Sequence, residues 1–346
     1  MAEVKKKRFS PWVINLSLLL LFFVINIAVG AVFIPPETLL KILLGKVSGA
    51  AVPGDWPAHF EAILLSIRLP HAVLIMMTGA ALASSGAAYQ GLFRNPLADP
   101  YLIGVASGAG LGAVAALSIY WPQDLLGFYL IPLSAFAGAI LTVVVVYYLA
   151  KIGNMVPLTT LILAGVAVGA FASALTSFLM LNSDDQIYRA ISFLLGGTPM
   201  AGWNPVLAAL PYLVVGMGVL SLLGHPLNLL QFGEEQAQQL GLSVERAKTI
   251  IIIVASIVTA VAVSFSGVIG FIGLIVPHVL RLVTGPDYRK LLPLSILAGG
   301  TALLAADVVA RWVMAPRVLP VGIITALAGA PFFLWILRRA KTEVFW

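Results

Sequence analysis

The sequence predicts an all-α membrane protein, a bundle of about ten transmembrane helices per subunit. Three observations carry this. Of 346 residues, 60% are hydrophobic and 10% charged, where an ordinary soluble domain carries about 25% charged residues. Mean hydropathy is +1.03; no aqueous core hides that much apolar surface, so the solvent is lipid. The apolar runs are long and continuous rather than alternating, which selects helices over barrel strands. With about 20 apolar residues per crossing, there is room for roughly ten spans in a single polytopic domain over 1–346.

The expected spans are 12–33, 61–88, 97–118, 127–150, 158–181, 203–223, 248–266, 268–284, 291–313 and 319–338. The first follows a basic start, Lys5-Lys6-Lys7-Arg8. Its apolar run is too long for a signal peptide and lacks a small-x-small cleavage site before Pro35-Pro36, so it reads as an uncleaved span. An even number of spans puts both termini on one side. Of the 20 Lys and Arg, six then fall on the far side: Lys41, Lys46, Arg68, Arg189, Arg311 and Arg317. The rest collect with the N-terminus, which predicts cytoplasmic termini. The formal charge of +6 therefore reflects topology, and no nucleic-acid partner is expected.

Spans two and three meet at Gln90–Pro100. Pro96 and Pro100 bias Asn95 and Asp99 away from helix, so the junction is either a gate or a tight re-entry turn. Small residues at spacings of three and four, Gly79, Ala83, Gly86 and Ala87, then Gly104, Gly108 and Gly112, suit close helix packing. On the outer side Leu194–Trp203, with Gly196, Gly197 and Pro199, is a hinge or a plain loop. Between spans six and seven lies a polar island, Gly224–Lys248, which carries Glu234, Glu235, Glu245, Arg246 and Lys248. Leu229, Leu230, Phe232, Leu240 and Leu242 are spaced among them. It is either a pair of short helices docking a soluble partner in the cytoplasm or a solvated loop. In span nine, Asp307 is the candidate intramembrane charge, with Arg311 one turn on. The two form an ion pair, or Asp307 is a proton relay.

A faint internal repeat runs through the chain. Ser85-Gly86 then Pro96 answers Ser266-Gly267 then Pro277. Leu130–Ser134 with Ala137-Gly138 answers Leu291–Ser295 with Ala298-Gly299, and Ala164-Gly165 answers Ala328-Gly329. Partners five spans apart cross the membrane in opposite directions, as in inverted-repeat transporters; the other reading is coincidence among abundant small residues.

The chain has no cysteine, which excludes disulfides, iron–sulfur clusters and thiolate metal sites. His59, His71, His225 and His278 are scattered, so no metal ligands are expected. No catalytic triad or phosphate-binding loop occurs, so no catalytic residues are expected either. The chain is thus read as a transport subunit rather than an enzyme. A secondary transporter driven by an ion gradient is the alternative; the polar island and the scarcity of buried acids weigh against it. A membrane redox enzyme fails for want of ligands.

Four segments carry a specific resemblance: RLPHAVLIMMTGAALASSGAAYQGLFRNPLADPYLIGVASGAGLG at 68–112, GEEQAQQLGL at 233–242, SGVIGFIGLIVPHVLRL at 266–282 and LPVGIITALAGAPFF at 319–333. From about Arg68 onward the chain resembles the FecCD family of ABC-transporter permeases, whose members import ferric siderophores, haem or cobalamin. The resemblance implies a type II ABC importer permease fold, with a homodimer of ten-helix subunits in a prokaryotic cytoplasmic membrane. Two ATPase subunits would bind below and an extracytoplasmic substrate-binding protein above. It implies no cofactor on this chain, with ATP and Mg held by the ATPase. It assigns ATPase coupling to Glu234, Gln238, Leu240, Gly241 and Leu242. It assigns the translocation gate to Asn95 and Leu97, with Leu158 and Thr159 as a second position beside Thr160. It implies binding-protein docking at Arg68 and Arg311, with His71 where the family often has a second basic residue. Where the family usually has an acid directly before Leu319-Pro320, this chain has Val318 preceded by Arg317, so the docking charges are altered.

Overall fold

The computed structural model describes residues 10–30, 32–48, 56–118, 129–181, 186–197, 202–315 and 317–344. Helices account for every regular element among them; the one strand-like pairing is a bridge between Ile152 and Met155 in a tight turn. In chain order the helices are α1 (Pro11–Ala28), α2 (Pro36–Ser48), α3 (Ala58–Ile63), α4 (Leu69–Leu92), α5 (Val105–Ser118), α6 (Leu130–Ala150) and α7 (Leu158–Leu181). They continue with α8 (Ile187–Leu194), α9 (Trp203–Leu222), α10 (Gly224–Leu230), α11 (Glu234–Gln239), α12 (Val244–Ser266), α13 (Ile272–Thr284), α14 (Tyr288–Val313) and α15 (Val321–Val344).

Seven of these segments are long and apolar enough to cross a membrane: α1, the continuous run ending in α4, α6, α7, α9, α12 and α14. Three shorter apolar helices complete the ten expected spans: α5, α13 and the first part of α15. The shortfall in α5 and α13 has one cause. Each is preceded by non-helical chain, residues 93–104 before α5 and 267–271 before α13, largely enclosed apart from the exposed Arg94–Pro96. The expected span 97–118 is thus helical only from Val105, because Pro96 and Pro100 deny the helix two amide donors and bias their predecessors to extended backbone.

Burial sorts the helices. Nearly all of α4 is enclosed and α12 is the most buried of the long spans, as expected of helices apolar all round. These two run antiparallel through the centre, with Thr78 bonded to Ser266 (2.6 Å) and Tyr89 to Ser256 (2.8 Å). Peripheral helices leave large apolar side chains outward, such as Leu141, Tyr148 and Leu149 on α6 and Val214, Val215 and Leu222 on α9. Lipid solvates such faces, so they are normal here.

The small-residue stripes are where backbones meet. A Cβ on Gly79 would run into the Gly299 carbonyl on α14, and one on Gly299 into the Gly79 carbonyl. Gly108 backs onto Gly138 and Thr142, Gly112 onto Ser134, and Gly86 onto Gly273.

The two halves repeat one arrangement. α5 packs on α6 and α7 as α13 packs on α14 and α15, and α4 packs on α14 as α12 packs on α6. Gly165 on α7 lies against Leu102 and Ile103 ahead of α5; its sequence counterpart, Gly329 on α15, lies against Phe271 ahead of α13. Gly104 (φ +85°) immediately precedes α5 and Phe271 (φ +70°) immediately precedes α13. One half fills this left-handed position with glycine and the other with a bulky residue that tolerates it poorly. The match is not complete: Gly138 meets α5, whereas Gly299 meets α4.

Two helices escape the sequence reading. α2 is short and amphipathic, burying Leu39 and Ile42 while exposing Leu40 and Leu44, and α8 is a two-turn helix; neither forms a long apolar run. The first span also ends early, at Ala28 rather than 33. The helix stops where its last carbonyls are taken by arginine: Arg311 donates to Asn26 O (3.0 Å) and Val29 O (3.1 Å), and Arg68 to Ile27 O (3.1 Å) and Ala28 O (2.9 Å). Such C-terminal carbonyls lack intrahelical partners. A widened π-type turn at Leu64–Arg68 runs directly into α4. Such turns recur at functional sites.

Two glycine substitutions separate these contacts from plain helix content. Gly79→Val should cost about 1–3 kcal/mol through overpacking against α14, lowering the melting temperature of the detergent-purified protein. Gly218→Ala, on an exposed face of α9 with open space around it, should leave melting unchanged or slightly raised, since alanine is the better helix former.

Candidate functional site

The polar residues gather at the two ends of the bundle. At one end the polar island folds as the two short helices α10 and α11 followed by the start of α12. α10 is fixed to the bundle on two sides. Gln231 Nε2 donates to Gly91 O (2.9 Å) at the end of α4. Asn228 Nδ2 donates to Asp287 Oδ1 (2.7 Å), and Asn228 Oδ1 accepts the Tyr288 N–H (2.9 Å). Asp287 also caps α14 by accepting the Arg289 N–H (3.1 Å), and its carboxylate takes the Arg289 side chain (3.0 Å). The Arg289 side chain, then Asn228, holds the Asp287 carboxyl well below the usual carboxylate range.

α11 is attached more lightly. Among its residues only Ala237 is buried. Glu234 is ion-paired with Lys248 on α12 (3.0 Å). Gln238 and Leu240 are exposed, Leu240 at 62%. Gly241 takes φ +88° with open space where a Cβ would stand, and Leu242 is partly buried against the core. Phe232, Gln236, Gln239 and Leu240 line a shallow depression of about 300 Å³, an apolar spot on an otherwise polar surface.

The expected gate residues lie at this same end. Arg94 adopts φ +50° and turns the chain out of α4. Asn95 Oδ1 accepts the Leu97 N–H (2.9 Å), and the Asn95 carbonyl accepts the Ala98 N–H (3.1 Å). Asn95 is exposed and Leu97 half-buried. Leu158, half-buried, and Thr159, exposed, open α7. Thr160 turns inward, donating to Ala150 O (3.1 Å) and Pro157 O (2.8 Å). Among the described residues no hydrogen bond joins the Asn95–Leu97 turn to the start of α7.

At the opposite end Asp307 is the hub. Arg311 Nη2 lies 2.8 Å from Asp307 Oδ2, His71 Nε2 3.0 Å from Oδ1, and Asn26 Nδ2 donates to Oδ2 (2.8 Å). The expected ion pair one helical turn apart is therefore formed, and it is knitted to α1 and α4. A cavity of about 150 Å³ opens beside it, lined by His71, Ser192, Gly197, Asp307, Leu319 and Pro320. Arg68 is buried with its guanidinium on α1 carbonyls, Arg311 is mostly enclosed, His71 is partly exposed and Arg317 is exposed. Of the Leu194–Trp203 segment, residues 198–201 lie outside the described residues. Gly196 (φ +78°) packs against Ile269 and Gly322.

Sequence reasoning missed Lys248 and Glu245. A lysine only 2% exposed looks in sequence like one more cytoplasmic charge. The available signal was spacing: Glu245 and Lys248 are three apart on a helix, so they share a face.

Comparison with known proteins gives a consistent picture. Residues 18–339 match the model of the FecCD transport family, so the likeness begins well before Arg68. The chain is 50% identical over 287 residues to the cobalamin import system permease protein BtuC of Halobacterium salinarum, covering 83% of this chain and 76% of that one. It is 42% identical over 288 residues to the hemin transport system permease protein HmuU of Yersinia pestis, covering 81% and 84%. A solved structure of an inward-facing metal-chelate type ABC transporter superposes with TM-score 0.79 at 28% identity, covering 95% of this chain and 99% of that one.

The Asp287 junction yields a pH-dependent expectation. Because its folded pKa is lowered, its contribution is complete at neutral pH and is lost as pH falls below about 4. Asp287→Ala should cost roughly 0.5–2 kcal/mol at pH 7, the range for losing a helix cap, and should flatten the acid limb of a melting-temperature profile.

Proposed function

The chain belongs to the FecCD transport family, and we propose that it is the membrane-spanning subunit of an ATP-driven importer for a bulky metal chelate. Cobalamin, haem and ferric siderophores are the substrate class, by analogy with relatives whose names specify cobalamin and hemin. The observation that carries the coupling part is the α10–α11 platform. It presents Leu240 and Phe232 outward at the end where the turn after α4 and the start of α7 also lie.

In this reading two copies pair around one pathway, an ATPase subunit docks on each platform, and ATP and Mg²⁺ stay in that partner. Glu234, Gln238, Leu240, Gly241 and Leu242 form the coupling surface, with Leu240 as its apolar anchor and Leu242 as the residue that seats it. Asn95 and Leu97 form one gate position, Leu158 and Thr159 the other. Both termini are cytoplasmic in a prokaryotic inner membrane, supported by the excess of basic residues on that side. An extracytoplasmic binding protein docks at the Asp307 end. There Arg317 offers charge to it and His71 a partly exposed ring, while Arg68 and Arg311 hold the surface in shape.

Proteoliposomes test the reading. The chain, reconstituted with its cognate ATPase and binding protein, should accumulate cyanocobalamin, haemin or a ferric siderophore when ATP is supplied on the platform side. Uptake driven by a proton or sodium gradient without ATP would refute it. Leu240→Asp should reduce ATPase co-purification about tenfold or more, as loss of a central apolar anchor does, with membrane insertion unchanged. Leu97→Cys, in a chain without other cysteines, should crosslink two copies in the inward-closed state; no crosslink under any nucleotide condition would remove Leu97 from the gate.

A further inference from the structure

We propose that Lys248 is the positioning residue that ties α11 to the entry of α7, so that displacement of α11 is delivered to Leu158 and Thr159. The inference rests on the importer reading above, which supplies the motion of α11 and the role of α7.

The geometry is a three-way junction around one ammonium. Lys248 Nζ lies 3.0 Å from Glu234 Oε2 on α11 and 2.5 Å from Glu245 Oε1 on its own helix, and it donates to Val156 O (3.2 Å). Those three partners match the three donors of an ammonium group. Glu245 Oε2 in turn accepts the Val156 N–H (3.1 Å). The backbone of Val156 is thus gripped at both its donor and its acceptor, and Val156 itself is buried. Two residues later α7 begins.

The turn that carries Val156 is built to move as a unit. Ile152 and Met155 exchange both backbone hydrogen bonds (2.9 and 3.1 Å), Gly153 takes φ +60°, and Pro157 follows. On its other flank, Tyr147 of α6 is hydrogen-bonded to Thr249 of α12 (3.1 Å). α11 has no comparable second tether. Among the described residues, the Glu234–Lys248 pair is the only side-chain ion pair or hydrogen bond from Glu234–Gln239. A push on the exposed face of α11 therefore reaches the bundle through α10, through the buried Ala237, through the chain into α12, or through this pair, and the pair is the polar link to the turn ahead of α7.

A net charge of −1 on the triad, two carboxylates and one ammonium, explains why Lys248 tolerates such burial: charges are kept inside only when paired. Neutralising the lysine leaves two carboxylates facing each other and the Val156 carbonyl without its donor. Glu234→Gln is the milder change, since the amide keeps an acceptor oxygen and Glu245 still balances Lys248.

The test uses the full chain in lipid nanodiscs. Nitroxide labels at Asn154→Cys in the turn and Glu235→Cys on α11, both exposed, report their separation by pulsed dipolar spectroscopy. A control pair at Tyr188→Cys and Trp312→Cys reports the opposite end. Glu234→Gln and Lys248→Met should each broaden the 154–235 distance distribution at least twofold and leave the control pair unchanged. An unchanged 154–235 width in both variants overturns the proposal. The second readout is the number of ATP molecules hydrolysed per molecule of cyanocobalamin or haemin, whichever the unmodified complex takes up. Lys248→Met, which removes a buried side chain outside the coupling surface, should raise that ratio at least threefold with the ATPase still bound. A broadened distribution with an unchanged ratio would make the junction structural and overturn the relay. Failure of the unmodified chain to support ATP-driven uptake would instead refute the importer reading, and the label widths would still decide whether Lys248 ties α11 to the turn.

Discussion

The structure depends on one constraint: inside lipid, every backbone N–H and C=O must find a partner within the protein. Continuous helices meet it automatically. The stretches ahead of α5 and α13 do not, and residues 98–104 and 267–271 lie within the bundle while Arg94–Pro96 reach its surface. The inner parts are admissible because they are largely enclosed and because they bond to one another. The Tyr101 hydroxyl, from the first stretch, donates to Ile269 O (2.9 Å) and accepts the Ile269 N–H (3.2 Å) in the second. Phe193 O takes the Val268 N–H (3.0 Å). The Gln90 amide covers the carbonyls of Gly273 (3.3 Å) and Leu274 (3.1 Å). Unwound backbone at this depth is how a helical bundle acquires internal joints without exposing polar groups to hydrocarbon.

Close packing supplies the enclosure. With no hydrophobic drive between helices in lipid, association relies on contact and hydrogen bonding. Glycines at 79, 86, 108, 138 and 299 bring carbonyls and α-carbons together where side chains would hold them apart. The same logic explains the arginines at the Asp307 end. A guanidinium offers five donors in a fixed fork, and Arg68 and Arg311 between them take the terminal carbonyls of α1 while Asp307 balances Arg311. Their presence against the general charge bias therefore has a structural reason, while Arg317 stays exposed.

Much of this was legible in the sequence. The positions of the ten apolar segments, the helix pair at 224–248 and the Asp307–Arg311 pairing follow from hydropathy, charge and spacing alone. The repeat was visible only as scattered short matches, yet Gly165 and Gly329 do hold equivalent places against the two unwound stretches. What could not be read was tertiary. The prolines mark a break at Gln90–Pro100 but not its extent: residues 101–104 also leave the helix, although Tyr101–Ile103 are apolar. α2 and α8 are too short and too amphipathic for a hydropathy reading. Lys248 looked like a surface charge because burial depends on Val156, 92 positions away along the chain.

The bonding between the two unwound stretches makes them rigid joints rather than loose loops. Hydrogen–deuterium exchange on residues 266–273 in nanodiscs measures it directly. Slow exchange at Ile269 in the unmodified protein, accelerated at least tenfold by Tyr101→Phe with the flanking α12 amides unchanged, is the result predicted. Fast exchange at Ile269 already in the unmodified protein, or no response to Tyr101→Phe, would show that the stretches are loose loops.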